Sequence, residues 1–141
     1  KVSFAHELVE MAVTDRAIVL RSPPSTPRNL LTRTLLHHDL SVLLDRRAKV
    51  GRVDVFNLGS GSTITMVELA RQVADLAERY HGRPVKVEHP EESVAQPAFQ
   101  LDTTRIRTLA GPGTDDLAAE LQLVLEDIVQ SHQPVSRTRE P

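Results

Sequence analysis

Hydrophobic positions along the chain alternate between helical and extended spacing. Phe4, Ala5, Leu8, Met11 and Ala12 share one face at 3.6 residues per turn, which predicts an amphipathic helix over Ser3–Val13. Ala17–Leu20 is a short apolar run and reads as a strand. Arg21–Arg28 then holds three prolines and three Ser or Thr, a composition that sustains neither element and predicts a loop. Leu30, Leu31, Leu35 and Leu36 flank polar Thr32, Arg33 and Thr34, which suggests a short, interrupted extended segment. Leu40, Leu43, Leu44 and Ala48 line one face of a second predicted helix, Asp39–Lys49, with Asp39 as its N-cap and a basic end.

The second half repeats the alternation with stronger punctuation. Val53, Val55 and Leu58 predict a strand that runs into the turn signal Gly59-Ser60-Gly61. Thr65 and Glu68 form a T-x-x-E capping box, and Met66, Leu69, Ala70, Val73, Leu76, Ala77 and Tyr80 continue from it as one apolar stripe, stopped by Gly82 and Pro84. Val85–Val87 reads as a strand and Glu88–Pro97 as an acidic loop. Asp102 opens a short helix through Leu109, Gly111-Pro112-Gly113 breaks it, and Thr114, Asp115 and Asp116 open a last helix carrying Leu117, Leu121, Val124, Leu125 and Ile128. About five helices and three or four short strands result, each strand separated from the next by a helix. Residues 1–131 form one expected unit, followed by a polar tail, 132–141, expected to be disordered.

Composition narrows the function classes. The chain has 141 residues, 40% hydrophobic and 26% charged, and no apolar run reaches membrane-spanning length. Cysteine is absent, which excludes disulfide scaffolds, Cys-ligated metals and thiol nucleophiles, and fits a reducing compartment such as the cytoplasm. The chain starts at Lys1 with no leader-like segment and reads as a piece of something longer. The net charge of −2 hides an asymmetry: Arg16–Arg52 carries eight Lys or Arg against Asp39 and Asp45, whereas Val53–Ser131 is acidic. A basic stretch without a single aromatic residue argues against nucleic-acid binding, which needs rings for base stacking.

Most catalytic motifs are missing. Gly59 and Gly61 are followed by Ile64 where a dinucleotide fingerprint needs a third glycine, and there is no P-loop. The six histidines show no metal-ligand spacing, Ser60 and Ser62 lie in no nucleophile elbow, and the only tyrosine, Tyr80, is followed four places on by Pro84. Arg28 and Arg33 are the candidate anion ligands, because a guanidinium after a flexible loop can clamp a diphosphate with two parallel hydrogen bonds.

Four segments in series carry a family resemblance: Val53-Asp-Val-Phe-Asn-Leu-Gly-Ser-Gly61, Ser62-Thr-Ile-Thr-Met-Val-Glu-Leu-Ala70, Pro84-Val-Lys-Val-Glu-His-Pro90 and Leu101-Asp-Thr-Thr-Arg-Ile106. Together they resemble the C-terminal half of the extended short-chain dehydrogenase/reductases, the NAD-dependent nucleotide-sugar epimerases and dehydratases. The resemblance spans about residues 2–131. It implies a small mixed α/β substrate-binding lobe whose Rossmann half, with the glycine fingerprint and the Y-x-x-x-K pair, is absent from this chain. It also implies that NAD(P) belongs to the complete enzyme and not to this chain, that a nucleoside-diphosphate sugar is the ligand, and that the Rossmann half comes from the same or another chain. Homo-oligomers are compatible with it, and neither nucleic acid nor membrane is an expected partner.

The family's R-D-F-V segment looks like Arg28-Asn-Leu-Leu31, whose arginine would contact the diphosphate; this match requires a short insertion at Thr32–Leu36. Arg33 with Thr34–His37 is the competing alignment. Asn57 stands in the strand ending Y-N-I-G-S-G and is the third implied substrate contact. Two departures stand beside these matches. The family's R-x-G-D stretch reads Glu91-Glu-Ser-Val-Ala-Gln-Pro97, without arginine, and its L-G-W-x-P reads Leu109-Ala-Gly-Pro-Gly113, without tryptophan. A non-catalytic binding or assembly module derived from the lobe is therefore the alternative.

Overall fold

A computed structural model describes residues 3–46, 54–91, 97 and 99–132. The element order is α1 (Phe4–Thr14), β1 (Ala17–Val19), β2 (Pro27–Arg28), α2 (Arg33–Arg46), β3 (Ile64–Thr65), α3 (Met66–His81), β4 (Lys86–Glu88), α4 (Thr104–Ala110) and α5 (Leu117–His132). Two small sheets result: β1 pairs in parallel with β4, Ala17 opposite Lys86, and β2 pairs antiparallel with β3, Arg28 opposite Ile64. The architecture is the expected small mixed α/β lobe.

The core forms where the apolar stripes of α1, α3 and α5 meet over β1. Leu8, Val9 and Ala12 of α1, Ile18 and Leu20, Met66, Leu69, Ala70 and Val73 of α3, and Leu121, Leu125 and Ile128 of α5 are all buried in one cluster. Burial of such side chains contributes roughly 1.5 to 3 kcal/mol each. α2 and α4 pack on each other beside this cluster. None of the described helices is long and apolar enough to cross a membrane.

The elements with their own local signals form where the sequence puts them. Ser3 Oγ accepts the His6 N–H and caps α1, and Asp116 Oδ1 accepts the Ala119 N–H and caps α5. The α3 capping box is complete: Thr65 Oγ1 accepts the Glu68 N–H at 3.3 Å, and Glu68 Oε2 accepts the Thr65 N–H at 2.8 Å. Gly82 ends that helix at φ 65°, a left-handed conformation for which glycine is favoured.

Thr65→Ala should therefore lower stability by about 1 kcal/mol in urea unfolding. Hydrogen bonds from the hydroxyl and the backbone N–H of Thr65 hold the Glu68 carboxyl below its usual value. Stability from this group is thus present at neutral pH and lost as pH falls through the lowered folded-state value. A Glu68→Gln variant should show a shallower acid branch in its pH–stability curve, and an unchanged curve would remove the carboxylate from that role.

Four expectations are corrected. α2 starts at Arg33, not Asp39: Thr32 Oγ1 accepts the Leu35 N–H at 3.3 Å as the true cap, so the segment read as extended is the first turn of the helix. Asp39 lies fully buried in mid-helix, and the reason is a partner, Arg107, far away in sequence. Residues 54–58 make no ladder; side chains of Arg105 and Asn57 bridge this stretch to the start of α4 instead. The Pro-rich loop ends in a strand, β2, because β3 lies opposite it, so β1 and β2 follow one another with no helix between them. His132, taken from sequence as the first tail residue, is the last of α5, and residues 133–141, the expected C-terminal end of the second helix at 47–49 and Val53 lie outside the described residues.

Candidate functional site

The β2–β3 pair and the turn after residue 58 create a small open cavity. Arg28 closes β2 with its side chain exposed, its Nη1 donating to the Pro27 carbonyl at 3.1 Å. It lines a cavity of about 400 Å³ with Pro27, Asn29, Leu31, Leu58, Phe99 and Leu101. Apart from the guanidinium and the Asn29 amide, the walls are apolar or aromatic. Among the described residues no carboxylate pairs with Arg28.

Asn57 acts on this cavity from behind. Its Nδ2 donates to the Asp102 carbonyl at 2.9 Å, tying the Leu58 segment to the Leu101 segment, so both leucines are held as walls. Asp102 is itself fixed at the start of α4, where Oδ1 accepts the Thr104 N–H at 2.9 Å. Hydrogen bonds from Thr104, its hydroxyl first and its backbone N–H second, keep the Asp102 carboxyl below the usual range.

Arg33 has a different fate. It opens α2, and its Nε donates to Glu120 Oε1 of α5 at 2.6 Å, in a separate groove of about 730 Å³ beside α1 and α5. The structure therefore brings Arg28 and the Asn57-supported loop together and leaves Arg33 paired elsewhere.

Two features escaped the sequence reading. Asn29 clasps the turn: its Nδ2 donates to the carbonyls of Ser60 at 2.9 Å and Ser62 at 3.0 Å, and its Oδ1 accepts the Ser60 N–H at 2.9 Å. Ser60 and Thr32 in turn donate their hydroxyls to Asp115, linking the clasp to the start of α5. Only the asparagine beside Arg28 hinted at this, since Asn is the side chain that can donate and accept at once. Phe99, exposed on the cavity wall, carried no periodic signal.

The turn at Gly59-Ser60-Gly61 does not suit a dinucleotide pyrophosphate. A Cβ at Gly59 would lie 2.5 Å from Leu101 Cδ2 and 2.6 Å from Asn29 Oδ1, so the glycine is required by close packing inside the chain. The N-terminus of α3, the usual phosphate site, is occupied by the Glu68 carboxylate, which would repel an anion. Among the described residues no group of three or more His, Cys, Asp or Glu could hold a metal ion.

No family model matches the sequence, and no curated protein is similar to it. Solved structures are. The UDP-glucuronic acid 4-epimerase from Bacillus cereus, in complex with UDP-glucuronic acid and NAD, superposes with a TM-score of 0.68 at 14% identity, over 92% of this chain and 40% of that one. MoeE5, in complex with UDP-glucose and NAD, gives 0.68 at 14% identity, over 93% and 42%. TunA, an NAD-dependent NDP-hexosamine 5,6-dehydratase of tunicamycin biosynthesis, gives 0.65 at 18% identity, over 93% and 40%. The chain thus spans about 40% of the length of the proteins it matches. Its fold is that of one part of the extended short-chain dehydrogenase/reductase chains that act as NAD-dependent nucleotide-sugar epimerases and dehydratases.

Proposed function

We propose that this chain is the substrate-binding part of an NAD(P)-dependent nucleotide-sugar epimerase- or dehydratase-like enzyme. It holds a nucleoside-diphosphate sugar while a Rossmann half, from the same or another chain, carries out hydride transfer. The observation that carries this reading is the Arg28 guanidinium, exposed on a largely apolar cavity and without a carboxylate partner among the described residues, in a fold shared with enzymes solved with UDP-sugars. A guanidinium in that setting offers N–H donors to a diphosphate in a planar fork that a point charge lacks. Arg33 is less suited, because Glu120 already neutralises it.

Arg28→Ala should weaken nucleoside-diphosphate binding by about ten-fold or more, as expected for loss of a charge-assisted contact of roughly 1.5 to 3 kcal/mol. Arg28→Lys should recover only part, since an ammonium is a point charge, and Arg33→Ala should bind normally. Calorimetry with UDP reads all three. Normal binding by Arg28→Ala combined with failure of Arg33→Ala would transfer the role to Arg33. NAD should not bind to this chain by itself, because Gly59 of the Gly59-Ser60-Gly61 turn is packed against Asn29 and Leu101 and the turn lacks the third glycine of a dinucleotide site; micromolar NAD binding in the same calorimeter would contradict the division of labour.

A further inference from the structure

We propose that β1 is an edge through which two copies of this chain associate, their β1 strands pairing antiparallel about Ile18 so that the sheets join in the order β4-β1-β1-β4. Nucleotide binding at Arg28 plays no part in it. The sheet uses only one side of β1. Leu20 N–H donates to the Glu88 carbonyl at 2.8 Å, and Lys86 N–H donates to the Arg16 carbonyl at 3.1 Å. Successive residues of a strand turn their N–H and C=O groups to opposite sides, so Ala17 and Val19 direct theirs away from β4, where no other described strand lies. The two edges of this sheet differ in protection. β4 carries Lys86 and Glu88, paired with each other at 2.7 Å, whereas Ala17–Val19 contains neither charge nor proline, the usual guards against edge pairing. Val19 is 50% exposed, the one large apolar side chain on a described strand that is left in solvent.

The charges around that edge select a second copy as its occupant. A cavity of about 980 Å³ lies between α1 and β1, lined by Phe4, Met11 and Met66 together with Glu7, Asp15 and Arg21. Neither Asp15 nor Arg21 is ion-paired among the described residues. Asp15 is also unfavourably placed within one copy, since it caps the C-terminal, negative end of α1. Antiparallel pairing about Ile18 sets Ala17 of each copy opposite Val19 of the other, and residues so opposed exchange both backbone hydrogen bonds. The same arrangement brings the Asp15 end of one strand to the Arg21 end of the other, once on each side of the axis. A patch that supplies its own complement meets the requirement of a two-fold contact. Parallel pairing would set Asp15 against Asp15.

Sedimentation equilibrium of the complete 141-residue chain over a concentration series tests this. The native chain should show a monomer–dimer equilibrium. Val19→Lys places a charge on the edge and should weaken association by about ten-fold or more. Asp15→Arg and Arg21→Asp each set like charges together in the homodimer and should weaken it by about ten-fold or more. An equimolar mixture of these two variants should associate as the native chain does, because both ends of the mixed pair are again complementary. A native chain that stays monomeric throughout the series would overturn the proposal, as would a dimer that Val19→Lys and both reversals leave unchanged. Weakened single variants whose mixture fails to recover would overturn the antiparallel pairing about Ile18.

Discussion

Replacing Asp39 with alanine should lower the unfolding free energy by about 3 kcal/mol or more, a larger loss than any single surface change in this chain. Asp39 is fully buried near the middle of α2, where its Oδ2 accepts from Arg107 Nη2 of α4 and its Oδ1 contacts His38 Nδ1 at 3.2 Å. Arg107 also donates from Nη1 to the Gly111 carbonyl at 3.1 Å, and its Nε is buried without a partner. Removing the carboxylate therefore leaves a guanidinium, only a quarter exposed, with no compensating charge. The paired replacement Asp39→Leu with Arg107→Met should recover most of the loss, since taking both charges out of the interior removes their desolvation penalty as well as their attraction. Urea midpoints for the two variants decide it. Equal loss in both would mean that α2 and α4 depend on this ion pair for their packing and not merely for charge balance.

Gly59→Ala should cost about 2 to 3 kcal/mol, with an added coupling that exposes its cause. The new methyl would meet Leu101 Cδ2, which can turn away, and Asn29 Oδ1, which cannot move without releasing three hydrogen bonds. If displacement of the clasp is the main loss, Asn29→Ala combined with Gly59→Ala should cost clearly less than the sum of the single changes. Strict additivity in a denaturant double-mutant cycle would assign the loss to Leu101 instead. The same displacement would shift Arg28, so UDP binding by Gly59→Ala should weaken as well.

Local signals account for what the sequence made legible. α1, α3 and α5 each carry a cap and a continuous apolar face, and the α3 box needs only residues three apart, so position and type followed directly. The start of α2 did not, because Asp39 has the chemistry of an N-cap and its true role depends on Arg107, beyond any local window. β2 and β3 are two residues each and exist only because the fold brings them side by side. Among the site residues, the sequence named Arg28 and Arg33 on equal chemical terms. Glu120, which distinguishes them, lies at the opposite end of the chain and meets Arg33 only after α5 docks. Asn57 was legible as a position and not as an action: its amide holds the Asp102 carbonyl, so it shapes the cavity from outside.

The meeting of α1 with α5 has a consequence for how the protein is made. Leu8, Val9 and Ala12 leave the ribosome well before the side chains that cover them, which include Leu121, Leu125 and Ile128, among the last of the described residues to be translated. At roughly 5 to 20 residues per second, the apolar face of α1 waits on the order of ten seconds for its cover. β1 waits in the same way for β4, since Ala17 cannot pair until Lys86 has been made. Closure of the core is therefore a late and long-range event, with slow folding set by loop closure and not by helix formation. A nascent chain halted before α5 should bind a holdase chaperone through α1 and release it only when translation passes Ile128.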